Sequence, residues 1–138
     1  GDVGDSTRTF LFKKDNDLGE RFFGCGIAEQ HLVSCAAGFA AGGKTPFAAS
    51  FGKFLVRGYD QLELALISGF GLKLVGSHSG ATAAADGPSQ MALADVGFLR
   101  ALSTVHARDG EPLLYVLNPA DARAAYGLTL AMAEHPGA

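Results

Sequence analysis

Apolar residues along this chain follow two alternating patterns, short continuous runs and longer stretches at helical spacing. An Ala-rich helical stretch covers residues 27–41, where Leu32, Val33, Ala36, Ala37 and Ala40 share one stripe and Gly42-Gly43 supply a stop. A strand is predicted over 45–50, starting beside Pro46. A helix over 51–67 follows, with Phe54, Leu55, Leu62 and Leu66 on its apolar side and Gly69 and Gly71 at its end. Residues 72–77, Leu-Lys-Leu-Val-Gly-Ser, read as the clearest buried strand, and they open into a loop, 78–88, crowded with small and polar residues. Helical spacing returns over 90–102, residues 113–117 read as another strand, and Pro119-Ala120-Asp121 introduces a last helix to about Glu134. Nearer the start, Asp5 and Ser6 can cap a short helix over 6–14, and Arg21-Phe22-Phe23 is a short strand candidate.

Strand and helix thus alternate, which predicts an α/β fold, a parallel sheet covered by helices on both faces, whose ligands meet the loops after the carboxyl ends of strands. The loop after Ser77 is the first place to search for a site. No internal repeat divides the chain, so a single domain over 1–138 is expected. Such a domain ordinarily opens with an apolar strand. Here the first residues already read as a strand-end loop, and nothing apolar follows Pro136-Gly137-Ala138. A fragment truncated at both ends is expected, with exposed sheet edges that need a neighbouring segment or chain to cover them.

Composition narrows the class. The 138 residues carry 48% hydrophobic side chains and a net charge of −3, the profile of one soluble, mildly acidic globular domain. Nineteen glycines and five prolines fit many tight connections between elements. Lys and Arg are scattered and outnumbered, so no nucleic-acid partner is expected. Two cysteines, Cys25 and Cys35, stand in neither a CxxC nor a Cys/His ligand spacing, which excludes a disulfide scaffold, leaves a single bridge open and gives no metal ligand. No apolar run reaches bilayer length and Gly-Asp-Val-Gly-Asp lacks a leader pattern, so no membrane and a reduced, cytoplasmic setting are expected.

Three stretches carry chemistry. They are Arg21-Phe22-Phe23-Gly24-Cys25-Gly26-Ile27-Ala28-Glu29-Gln30; Ser50-Phe51-Gly52-Lys53-Phe54-Leu55 with Tyr59-Asp60-Gln61; and Gly76-Ser77-His78-Ser79-Gly80 followed by Asp86-Gly87-Pro88-Ser89-Gln90-Met91. Together they resemble the pyrimidine-binding domain of transketolases, from Asp2 to about Leu102 and more loosely to Pro136. The resemblance implies the pyrimidine-type thiamine diphosphate-binding fold and transfer of a two-carbon ketol unit from a ketose phosphate to an aldose phosphate. It also implies a cytoplasmic dimer of the pentose phosphate pathway. Glu29 matches the family's catalytic glutamate, which hydrogen-bonds the cofactor's pyrimidine nitrogen, a task that needs a partly desolvated carboxyl. A lone Glu at a helix start ordinarily answers the helix dipole instead; the surrounding motif reverses that preference. Phe51 and Phe54 match aromatics that pack on the aminopyrimidine, their separation letting both rings face one cleft from a helix start. Without the motif such a pair is ordinary core.

His78 matches a histidine on the substrate phosphate or sugar, Asp86 an aspartate reading a donor hydroxyl, and Ser6 a serine at the phosphate end. Gln90 stands where many microbial and plant transketolases carry histidine; Asp-Gly-Pro-Ser-Gln-Met resembles the animal-type branch, and a neutral amide there orients substrate without transferring a proton. Arg57 falls beside the pocket at a position the family varies. Gly24, Lys53 and Ala85 depart from the family pattern, Gly24 and Ala85 replacing glutamates that help couple two active sites across a dimer. The Gly-Asp-Gly motif and the Asp and Asn ligands of the diphosphate domain are not in this chain. The resemblance therefore places Mg2+ or Ca2+ on another domain, supplied by a homodimer or a separate subunit, and leaves the isolated chain inactive. Two further readings are a 1-deoxy-D-xylulose-5-phosphate synthase-like domain, which shares Ile-Ala-Glu-Gln-His, and a noncatalytic assembly module. Gly-Ser-His and Asp-Gly-Pro-Ser-Gln favour transketolase over the first, and retention of Glu29, His78 and Asp86 argues against the second.

Overall fold

Two parallel strands, β1 (Phe47–Phe51) and β2 (Lys73–Ser77), pair in register from Phe47 opposite Lys73 to Phe51 opposite Ser77 in the computed structural model of this chain. The structure describes residues 18–91 and 94–138 together with Thr7, Thr9 and Leu11. The remainder of the helix expected over 6–14 lies outside those residues.

Five helices surround the strand pair among the described residues. They are α1 (Glu29–Ala41), the single turn α2 (Gly52–Leu55), α3 (Tyr59–Ile67), α4 (Asp95–Leu102) and α5 (Ala122–Glu134). Helix α1 buries Glu29, Leu32, Val33 and Ala36, the i, i+3, i+4, i+7 set of one face. Its end is chemically defined. Gly43 takes φ +75°, Lys44 N–H donates to Phe39 O at 3.0 Å and Gly43 N–H to Ala40 O at 2.9 Å, the paired bonds of a Schellman stop. Helix α3 stops the same way at Gly69, φ +74°, with Phe70 N–H on Ala65 O and Gly69 N–H on Leu66 O. At α5 the start is fixed instead, by Asp121 Oδ1 accepting from Ala124 N–H at 2.8 Å.

The core gathers where these faces meet. Leu32, Val33 and Ala36 of α1 pack with Ala48 of β1, Leu55 of α2, Leu62, Ala65 and Leu66 of α3, and Leu72, Leu102 and Leu114. It runs between the β1 to β2 crossover and α1, the arrangement a parallel pair requires.

The structure differs from the sequence pattern at four places. Residues 51–67 do not form one helix: Phe51 closes β1, α2 makes one turn, and a 3-10 turn, Val56–Gly58, precedes α3. A Cβ on Gly58 would sit 3.0 Å from Val33 Cγ2 and 3.3 Å from Glu29 O, so the backbone approaches α1 too closely there for a regular helix carrying side chains. Residues 21–23 pair with no strand among the described residues; Gly19–Arg21 is a 3-10 turn and an extended segment follows. Residues 113–117 likewise enter no ladder, and the bridge next to them joins His106 to Pro112 across a turn at Gly110. The helix expected from residue 90 begins only at Asp95. Among the described residues no helix is long and apolar enough to cross a membrane.

Candidate functional site

The carboxyl ends of β1 and β2 converge, and α1 starts beside them. An extended segment enters α1 through a tight turn at Gly26, φ +66°, where Ala28 N–H donates to Gly26 O at 2.9 Å. Glu29 is then the first residue of the helix and is only 3% exposed. The burial expected of this carboxyl is present, but its surroundings are not simply apolar. The Ser50 hydroxyl, itself 0% exposed, donates to Glu29 Oε1 at 3.3 Å, and Arg57 Nη1 pairs with Oε2 at 3.4 Å. Arg57 is 50% exposed, so the ion pair leads from the buried carboxyl towards the surface.

Beside the carboxylate lies an aromatic stack. Phe51 and Phe54 rings are 5.4 Å apart at 10°, and His78 stacks on Phe51 at 4.2 Å and 19°. The arrangement comes from a corner, not from one helix face: Phe51 ends β1, Phe54 lies in α2, and His78 follows β2 directly opposite Phe51's end of the ladder. His78 holds φ +52°, a strained conformation for a non-glycine residue, with Nδ1 2.9 Å from Ser77 Oγ. The Arg57 guanidinium carbon is 4.4 Å from the Phe54 ring centre, a cation over an aromatic face.

The loop after His78 is closed upon itself. Gly80 N–H donates to Met91 O at 2.7 Å, and a 3-10 turn, Ala81–Asp86, fills the interval. Asp86 is exposed at the end of that turn, while Gln90 is half-buried, bonded through its N–H to Gly87 O and through Oε1 to the Ser89 hydroxyl. These two residues thus ride on the loop, not in the carboxylate and aromatic cluster. Ser6 lies outside the described residues. Of the residues singled out from sequence, the structure brings together Glu29, Phe51, Phe54 and His78.

Sequence reasoning missed Asp95, and it missed the contacts of two residues it had named, Ser50 and Arg57. Ser50 and Arg57 complete the setting of Glu29. Asp95, 5% exposed at the start of α4, accepts from the Ser79 hydroxyl at 2.5 Å and from Val96 N–H at 2.8 Å, tying α4 to the loop after β2. The signal for Asp95 was an acidic residue opening an apolar helix; for Ser50 and Arg57 only the fold brings 21 and 28 residues of separation to contact distance. A separate open groove of about 430 Å3, between α4 and residues 112–118, shares no residue with this cluster.

A buried carboxylate whose outer partner is a half-exposed arginine, flanked by flat aromatic surface, can hold a proton donor or acceptor of a planar heteroaromatic ring while excluding water from it. The residues present therefore fit an aminopyrimidine.

Comparison with known proteins agrees. The family model described as "Transketolase, pyrimidine binding domain" matches residues 1–138. Human transketolase is 44% identical over 105 residues, covering 75% of this chain and 16% of the human protein. Mouse transketolase is 45% identical over 108 residues, 76% of this chain and 17% of that protein. Bovine transketolase-like protein 1 is 45% identical over 103 residues, 74% and 17% respectively. The chain thus spans about a sixth of the length of the curated relatives it matches.

Proposed function

The chain belongs to the transketolase pyrimidine-binding domain family, and from that premise we propose that it forms the pyrimidine half of a thiamine diphosphate site in a sugar-phosphate ketol transferase. The observation that carries this reading is the buried Glu29 carboxyl beside the stacked Phe51 and Phe54 at the carboxyl end of the strand pair. When bound, thiamine diphosphate supplies the nucleophilic carbon that carries a two-carbon ketol unit from a ketose phosphate to an aldose phosphate.

Each residue then has a defined task. Glu29 exchanges a proton with the pyrimidine nitrogen through its buried carboxyl. Ser50 fixes Oε1 and with it the plane of the carboxyl. Phe51 and Phe54 offer apolar surface to the pyrimidine ring and keep water from the carboxyl. His78, Asp86, Gln90 and Ser6 serve the sugar phosphate, His78 from the strand end and Asp86 and Gln90 from the closed loop. Diphosphate contacts and the divalent cation, Mg2+ or Ca2+, fall to another domain, brought by a second copy in a homodimer or by a separate subunit. The setting proposed is the cytoplasmic pentose phosphate pathway, with the present chain as one domain of the whole enzyme.

Glu29→Gln tests the reading in the full-length protein that contains this chain. The substitution conserves volume and removes the ionisable group. Hydrogen–deuterium exchange at the cofactor's reactive carbon is expected to slow by about 10²–10⁴-fold, with ketol transfer falling in parallel and thermal unfolding nearly unchanged. Exchange at the unaltered rate would remove Glu29 from the proton path and the reading with it.

A further inference from the structure

Helix α1 carries a second cluster on the face turned away from Glu29. His31 and Cys35 stand one turn apart there, the i, i+4 spacing that places two ligands on one side of a helix. Cys25 reaches them from the extended segment that precedes the helix. The ligand atoms of all three lie within 4.8 Å of one another, and Cys35 Sγ is 3.4 Å from His31 Nε2. Both cysteines are free thiols, half-buried, and His31 is exposed. Burial, followed by the neighbouring Cys25, pushes the Cys35 thiol up from its ordinary value. Linear spacing carries only the His31 and Cys35 half of this group; Cys25 joins the other two through the turn at Gly26.

These separations approach what one ion demands. Metal–sulfur bonds of about 2.3 Å and metal–nitrogen bonds of about 2.0–2.1 Å at tetrahedral angles put sulfur about 3.6 Å from nitrogen and about 3.8 Å from a second sulfur. Two thiolates and an imidazole are soft donors, the set that selects zinc over the hard cations magnesium and calcium.

We propose that Cys25, His31 and Cys35 form a zinc site with three protein ligands and a fourth position open to water. Binding replaces two thiol protons, which pass to solvent, by two sulfur–zinc bonds; no oxidant or reductant is consumed. The ion clasps residues 24–28 to the first two turns of α1, the segment that delivers Glu29 to the aromatic stack. Its role is structural, and it stands whether or not the ketol-transfer reading holds.

The test uses the tag-free full-length protein that contains this chain, purified with a non-thiol reductant and titrated with Co2+ and then with Zn2+ against a chromophoric chelator. One thiolate-bound ion per polypeptide is expected, with a thiolate-to-cobalt charge-transfer band that zinc abolishes and that Cys25→Ser and Cys35→Ser remove. Cys25→Ser and Cys35→Ser should each weaken zinc binding by at least about 100-fold, since even changes outside the ligand shell cost roughly 10–100-fold. Alkylation of the unaltered protein gives an answer independent of variant folding: zinc should protect both thiols and a chelator should expose them. Absence of the charge-transfer band, zinc binding that survives both serine substitutions in folded protein, or thiols that alkylate equally fast with and without zinc would each overturn the proposal.

Discussion

Ser50 shows how little freedom the carboxylate at the site has. Ser50 is fully buried, and its hydroxyl donates to Glu29 Oε1. Removing the hydroxyl leaves a desolvated oxygen with one partner fewer, which costs about 1–3 kcal/mol. Ser50→Ala is therefore expected to lower the melting temperature by several degrees, and to slow exchange at the cofactor carbon far less than Glu29→Gln does. Calorimetry and the exchange assay on the same preparation check both halves. Equal loss of exchange in the two variants would make Ser50 part of the proton path instead of its support. At this scale Glu29, Phe51, Phe54 and His78 were legible because each sits inside a contiguous motif. Ser50, though inside one such motif, has a role that only its contact with Glu29 reveals.

The elements succeed or fail as local signals do. Glycine stops at Gly43 and Gly69 and the Asp121 cap were readable because each acts within a few residues of itself. The broken helix over 51–67 was not, since its breaks answer contacts with α1 and β2. Gly76 makes the second of these contacts: a Cβ there would lie 3.0 Å from Gly52 Cα and 3.6 Å from Gly52 N, both backbone atoms that cannot rotate aside. Gly76→Ala is expected to push α2 off the strand, cost about 1–3 kcal/mol and loosen the Phe51–Phe54 stack. Chemical denaturation measures the first effect and ring chemical shifts the second. An unchanged midpoint would mean that the two backbones separate freely.

Across the whole molecule, the last residues fold back onto the sheet through Lys73. This side chain is buried, opposite Phe47 in the ladder, and its ammonium donates to His135 O at 2.7 Å and also to Gly137 O. Tyr115 N–H donates to Ala138 O at 3.1 Å, so β2, residues 113–117 and the chain's end are joined. Burial pushes the Lys73 ammonium below its ordinary pKa, which makes the two carbonyls its compensation. Lys73→Met keeps the aliphatic stem and deletes the donor. Faster amide exchange at Tyr115, with exchange in α1 unaltered, is the expected result; protection retained at Tyr115 would show that the end docks without the lysine. Large apolar side chains remain exposed at Phe23, Ile27, Leu64 and Ile67, an amount of uncovered apolar surface that marks contact with other protein segments.

By itself the amino-acid sequence determined the α/β class, the parallel strand pair, the helix stops, the family and the identity of the motif residues. All of these are encoded by neighbours in the chain, through side-chain period, capping chemistry and contiguous motifs. Tertiary structure alone decided the corner that stacks Phe51, Phe54 and His78, the ion pair of Arg57 with Glu29, the Ser79 to Asp95 tie, and the gathering of Cys25 with His31 and Cys35. The physical reason is common to them. Each depends on segments brought together by burial of the core, and a hydrophobic core specifies that faces meet without the local chain recording which polar groups will then stand side by side.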